Sequence, residues 1–145
     1  WAQGIIIGTI ASSDHGGGGG KVGVWAKDMT RESIFNAIRS RHTFGMSGPK
    51  MSLYFRAGDG LMGDKLPSPE GPIEISIQAM APSPINEVVV FRNNEIVFKT
   101  NPGVPACSLE WTDEEPLQED LVWYYARIQT TRDDLAWGSP VWFVE

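Results

Sequence analysis

Hydrophobic and polar positions change period near residue 49, and the change divides the chain into two zones. Upstream, Gly4-Ile5-Ile6-Ile7-Gly8-Thr9-Ile10-Ala11 is a short apolar run that predicts a buried strand. Ser12-Ser13-Asp14-His15 and the glycines Gly16 to Gly20 follow it. Lys21 to Ala26 predicts a second short strand. Thr30 is suited to cap a helix over Arg31–His42, since its hydroxyl can accept an orphan backbone N–H. Met29 and Ile34 occupy the positions of a hydrophobic staple. Ile34, Phe35 and Ile38 share one helical face, and Arg39, Arg41 and His42 bring positive charge to the last turn.

Beyond Pro49 the period is two. Met51, Leu53 and Phe55 alternate with polar positions, and Asp59-Gly60 signals a tight turn. Ile73, Ile75 and Ile77 alternate with Glu74, Ser76 and Gln78, which predicts a half-buried strand broken by Pro82 and Pro84. Residues 87–92 and 95–99 flank Asn93-Asn94 as a two-residue hairpin, because Asn tolerates positive φ. Ser108 to Thr112 is a further strand. Leu121 to Thr130 is the longest, with Val122, Tyr124, Ala126 and Ile128 on one face. Asp133-Asp134 makes a turn before a last strand, Trp137 to Val144. About seven short strands at this spacing predict an antiparallel β-sandwich of immunoglobulin-like character. The expected fold class is therefore α+β, mainly β. The expected division is an α/β segment with one helix over 1–48 and a sandwich over 49–145.

Composition narrows the function. The chain has 145 residues, 41% hydrophobic and 21% charged, which is globular rather than disordered. Its net charge of −6 and pI near 4.9 give no basic footprint for nucleic acid or for anionic membranes. The longest apolar stretch is too short to span a bilayer. Cys107 is the single cysteine, so no internal disulfide can form, and it is expected at a half-buried strand position. Asp113-Glu114-Glu115 and Glu119-Asp120 lack the loop spacing of a calcium site and read as solvated turns. Trp111, Trp123, Trp137 and Trp142 fall in strand patterns, where core packing is expected.

Asp14 and His15 carry the candidate chemistry. A carboxylate and an imidazole at the C-terminal end of a strand stand where α/β folds bind ligands and metals. A hydrolytic metal site needs at least three protein ligands and an open position. The chain offers these two, and its only other histidine is His42. The expectation is a C-terminal piece of something larger, without a complete catalytic site of its own. The glycine run lacks the Gly-Lys-Ser/Thr ending of a phosphate loop, and reads as a loop or spacer.

Ile10-Ala11-Ser12-Ser13-Asp14-His15, Val24-Trp25-Ala26 and Thr30 through Gly45 resemble the end of the PHP-type (polymerase and histidinol phosphatase) metal-dependent hydrolase domain. The ending from Val122 to Ile128 and from Leu135 to Trp142 is similar to that of a bacterial branch in which a β-rich region follows the barrel. The resemblance implies a phosphoesterase-type intact protein holding divalent zinc, manganese or iron. Asp14 and His15 would be metal ligands there, and Arg41, His42 and Thr43 would line the substrate side. It also implies that the paired histidines opening the ligand set lie upstream of Trp1. In the family the Asp usually precedes the His with one residue between, whereas here the two are adjacent. No metal is expected on this chain alone. The expected partners are the missing N-terminal part of the same protein and a second copy pairing through the N-terminal strand. The alternatives are a free-standing sandwich module that binds a carbohydrate or a protein, and a minimal enzyme completed by oligomerisation.

Overall fold

The structure is a computed structural model, and it describes residues 1–16, 19–115, 117 and 119–145. Its elements are β1 (Lys21–Val24), α1 (Arg31–Arg39), β2 (Thr43–Met46), β3 (Ser52–Ala57), β4 (Gly60–Leu61), β5 (Lys65–Pro67), β6 (Ile73–Arg92), β7 (Glu95–Thr100), β8 (Val104–Asp113), β9 (Leu121–Thr130), β10 (Leu135–Gly138) and β11 (Val141–Val144). Among the described residues the fold is mainly β with one helix, all strand pairs are antiparallel except β5 with β11, and the sheet curls into a sandwich-like body.

Pro82 and Pro84 do not end the strand that contains them. β6 runs through both for 20 residues, which corrects the expectation of a break. Before the prolines, residues 75–80 lie between β3 and β8. After them, residues 88–92 lie between β9 and β7. The register with β8 jumps between Met80 and Ile85, so the prolines occupy a corner where no ladder donor is required. A strand that bends and changes partners joins the two layers of the body. Alternation then fills the space between them. Ile73, Ile75 and Ile77 of β6 meet Leu53 and Phe55 of β3 and Tyr124, Ala126 and Ile128 of β9 in one core. The Asn93-Asn94 hairpin forms as expected, with φ of 47° and 71°.

Residues 4–11 are not a strand, which corrects the first predicted element. At Thr9, side-chain hydroxyls and not a neighbouring strand satisfy the backbone. Thr9 N donates to Ser139 Oγ at 2.8 Å, and Thr9 O accepts from Thr43 Oγ1 at 2.8 Å. The segment crosses the body as a strap, with Ile5, Ile7 and Ile10 exposed by 52%, 58% and 69%. Of the glycine run, Gly17 and Gly18 lie outside the described residues. β1 pairs with β2, and β2 pairs with β10, so residues 21–46 share a sheet with the C-terminal strands.

Thr30 caps α1, its Oγ1 accepting from Ser33 N at 3.2 Å. The helix ends at Arg39, three residues before the predicted end, because Arg41 turns into the left-handed region at φ 61°. The staple does not form, since Met29 is 91% exposed. Ala37 is the helix residue that is buried, and Phe35 and Ile38 face solvent. The polar residues Ser33, Asn36 and Ser40 share the side of the helix that lines a cleft with Trp25 and His42.

Truncating a core isoleucine tests the layered core. Ile77→Ala should lower unfolding stability by about 2–5 kcal/mol, read from the urea midpoint at constant slope.

Candidate functional site

Asp14 and His15 sit in a turn beyond the strap. Asp14 adopts φ 50°, and its Oδ2 lies 2.7 Å from His15 Nδ1. The two side chains are 83% and 94% exposed. A carboxylate accepts, so the contact assigns a ring hydrogen to Nδ1, and in the neutral ring Nε2 keeps its lone pair. This oxygen–nitrogen donor set suits zinc, manganese or iron. Among the described residues no group of three or more His, Cys, Asp and Glu side chains is placed to hold an ion. The pair can contribute to a coordination sphere and cannot fill one.

Arg41, His42 and Thr43 come together at the junction of α1 and β2, and each has structural partners. Arg41 Nε donates to Gly63 O at 3.0 Å, and its guanidinium lies 5.6 Å from the centre of the Trp142 ring. Gly63, at φ 101°, fits only as glycine, since an added Cβ would stand 2.4 Å from the Arg41 carbonyl. Thr43 is buried, with its hydroxyl bonded to Thr9 O and 3.1 Å from Ser139 Oγ. His42 Nε2 lies 2.8 Å from Asp64 Oδ1, and Asp64 Oδ2 accepts from Leu61 N at 2.9 Å. Of the three, His42 reaches a solvent-open cleft. Asp64 is a partner that sequence reasoning missed, because no spacing rule links it to His42 across 22 residues.

Asp113 corrects another expectation. It is buried, not part of a solvated turn. Its Oδ2 accepts from Arg92 Nη1 at 2.8 Å and from Tyr124 Oη at 2.9 Å, and Arg92 also pairs with Glu115. Burial, then the hydrogen bond to Asp113, pushes the Tyr124 phenol well above its ordinary range, so it stays a donor. One signal for this was present. Leu109 and Trp111 point inward, and one further step of two reaches Asp113. Cys107 is half-buried as expected, and burial holds its thiol above the usual range, which suppresses the nucleophilic thiolate. Trp123 and Trp142 are buried, and Trp111 stacks on Phe98 at 5.4 Å. On the outer side of β6, Glu87 holds Lys99 Nζ at 2.5 Å and Arg127 Nη2 at 2.6 Å. Hydrogen bonds from Lys99, then Arg127, lower its carboxyl below the ordinary value.

No helix among the described residues is long and apolar enough to cross a membrane. The sequence profile of a family described as a protein of unknown function (DUF3604) matches residues 7–82. An uncharacterised protein of Chlamydia pneumoniae is 26% identical over 138 residues, covering 85% of this chain and 22% of the relative. One from Chlamydia trachomatis is 22% identical over 138 residues, with the same coverage. The chain thus spans about a fifth of the length of the curated relatives it matches. No solved structure matches it significantly.

Two outcomes follow from these contacts. Asp113→Ala leaves the buried Tyr124 hydroxyl without its acceptor and removes one of the two carboxylates on Arg92, and should cost about 1–3 kcal/mol of stability in denaturant titration. Glu87 has a lowered folded pKa, so its contribution is present above its ordinary value near 4.5 and is lost as pH falls through the folded value. Glu87→Gln should therefore be less stable than the parent chain at pH 6, with the gap closing towards pH 3 in thermal melts.

Proposed function

The chain belongs to the DUF3604 family, and we propose that it supplies the β-rich C-terminal part of a PHP-like, phosphoesterase-type metal-dependent hydrolase. In this reading Asp14 and His15 join a metal centre whose remaining ligands lie in polypeptide outside this chain.

The observation that carries the proposal is the outward apolar surface of the strap and helix. Ile5, Ile6 and Ile7 are consecutive, so a run of this kind suits a strand covered on both faces. Here Ile6 is half-buried, while Ile5, Ile7 and Ile10 stand in solvent beside the turn that holds Asp14 and His15. Phe35 and Ile38 of α1 are exposed as well. Large bare apolar side chains grouped on the N-terminal third mark a surface built to be covered. The greater length of the relatives provides a source for the cover.

Asp14 orients the ring of His15 through Nδ1 and so holds Nε2 outward, as a carboxylate does beside a ligating imidazole. A divalent ion bound there would polarise a phosphoryl oxygen and acidify a bound water. The body behind it, from β2 to β11, acts as a wall and an anchor for the strap.

The test uses the longer polypeptide and the 145-residue chain side by side. In the longer protein, Asp14→Asn and His15→Ala should each reduce bound transition metal and cut phosphodiester turnover at least about tenfold, with the far-ultraviolet spectrum unchanged. The 145-residue chain should show no turnover. Turnover by that chain alone, or full metal content and rate in both variants, would overturn the proposal.

A further inference from the structure

A second site is carried by the cleft between α1 and the end of β1, which does not include Asp14 or His15 and does not depend on the hydrolase reading. Its volume is about 410 Å³. Trp25, Lys27, Glu32, Asn36, Ser40 and His42 line it. Its residues fall within the stretch matched by the family profile.

The imidazole is the ordered part of this cleft. Asp64 accepts at 2.8 Å, so the network assigns a ring hydrogen to Nε2, and in the neutral ring Nδ1 keeps its lone pair. Asp64 is itself held by Leu61 N, and the His42 backbone N donates to Ala37 O, so ring and main chain are both anchored. Among the described residues no hydrogen bond reaches Nδ1. The ring is half-buried and lines the cleft, so the lone pair is available to a ligand.

The neighbouring groups decide what kind of ligand fits. Asp28 and Thr30 are committed to each other and to the helix start, with Thr30 N and Oγ1 both donating to Asp28 Oδ1. That leaves donors at Lys27, Asn36 and Ser40 and acceptors at Glu32, Asn36 and Nδ1. Asn36 and Ser40 are one helical turn apart and present the same side. Trp25 provides an aromatic wall, and its indole Nε1 is fixed on Leu53 O at 2.8 Å. One lysine against Asp28 and Glu32 gives no excess of positive charge for a phosphate or a carboxylate. Alternating donors and acceptors beside an indole match a neutral ligand in which each hydroxyl both gives and accepts.

We propose that this cleft binds a neutral saccharide unit, with His42 Nδ1 accepting a sugar hydroxyl and Asn36 and Ser40 bonding its neighbours. Asp64 is a positioning residue that sets the tautomer of His42.

The test is an NMR titration of the 15N-labelled 145-residue chain with glucose, mannose, galactose and N-acetylglucosamine, and separately with glucose 6-phosphate. At least one neutral sugar should move the Trp25 indole and Asn36 amide resonances saturably. Asn36→Ala, a solvent-side change in α1, and His42→Gln should each weaken that binding about tenfold, while core resonances from β6 and β9 stay in place. Asp64→Asn should weaken binding less and change the 15N shifts of the two His42 ring nitrogens, which report the tautomer. No saturable shift with any neutral sugar would overturn the proposal. So would a response to the phosphorylated sugar alone, or binding that survives both the Asn36 and His42 substitutions.

Discussion

The whole body hangs on one uninterrupted backbone run. β6 is hydrogen-bonded on both edges before its corner and on both edges after it, to four different strands. Its two halves therefore belong to different layers, and the corner at Pro82 and Pro84 sets the angle between them. The β6–β7 hairpin continues into β8 along the same side, so the outer strand bends where the inner one does. A core forms because the inward residues on each side of this bend face one another across the gap. The outer edge of β8 carries Pro105, which blunts it against pairing with another chain.

A second apolar layer lies on the other side of β9 and β11. Trp123 and Trp142 are paired across those strands and are buried there. The strap contributes to that cover: Trp1 lies 5.0 Å from Tyr125, which stacks on Phe91 at 4.7 Å. Arg41 completes the cover over Trp142 and hydrogen-bonds Gly63, so the end of α1 is tied to the loop before β5. This explains why Arg41 and Thr43 serve the fold while their neighbour His42 still opens on a cleft. Positions that alternate between a buried sheet face and a helix end send successive side chains to different surroundings.

The polar groups in the interior follow the same logic. Asp113 is tolerated at a core position because Arg92 and Tyr124 both donate to it, from β6 and β9 respectively. Asp64 is tolerated near the surface because His42 and the Leu61 amide share it. Each carboxylate joins elements far apart in the chain, and each fixes the donor side of a neighbouring group.

Local pattern alone determined a good deal. The alternation in Ile73–Ile77 and in Val122–Ile128 identified the inward faces, because a strand's side chains have a period of two whatever lies opposite. Thr30 and Asn93-Asn94 marked a helix start and a hairpin turn, because those conformations depend on a few adjacent residues. Residues 4–11 read as a strand from their apolar run, yet strand formation needs a partner edge, and Ser139 and Thr43 supply hydroxyls instead. The stripe of Ile34, Phe35 and Ile38 predicted a helical face, and tertiary contacts decided that Ala37 would be buried and that the polar side would line the cleft with Trp25 and His42. Asp14 and His15 were legible as neighbours in sequence. The pairings of His42 with Asp64 and of Arg92 with Asp113 were not, because they span long separations and exist only once the sheet has curled.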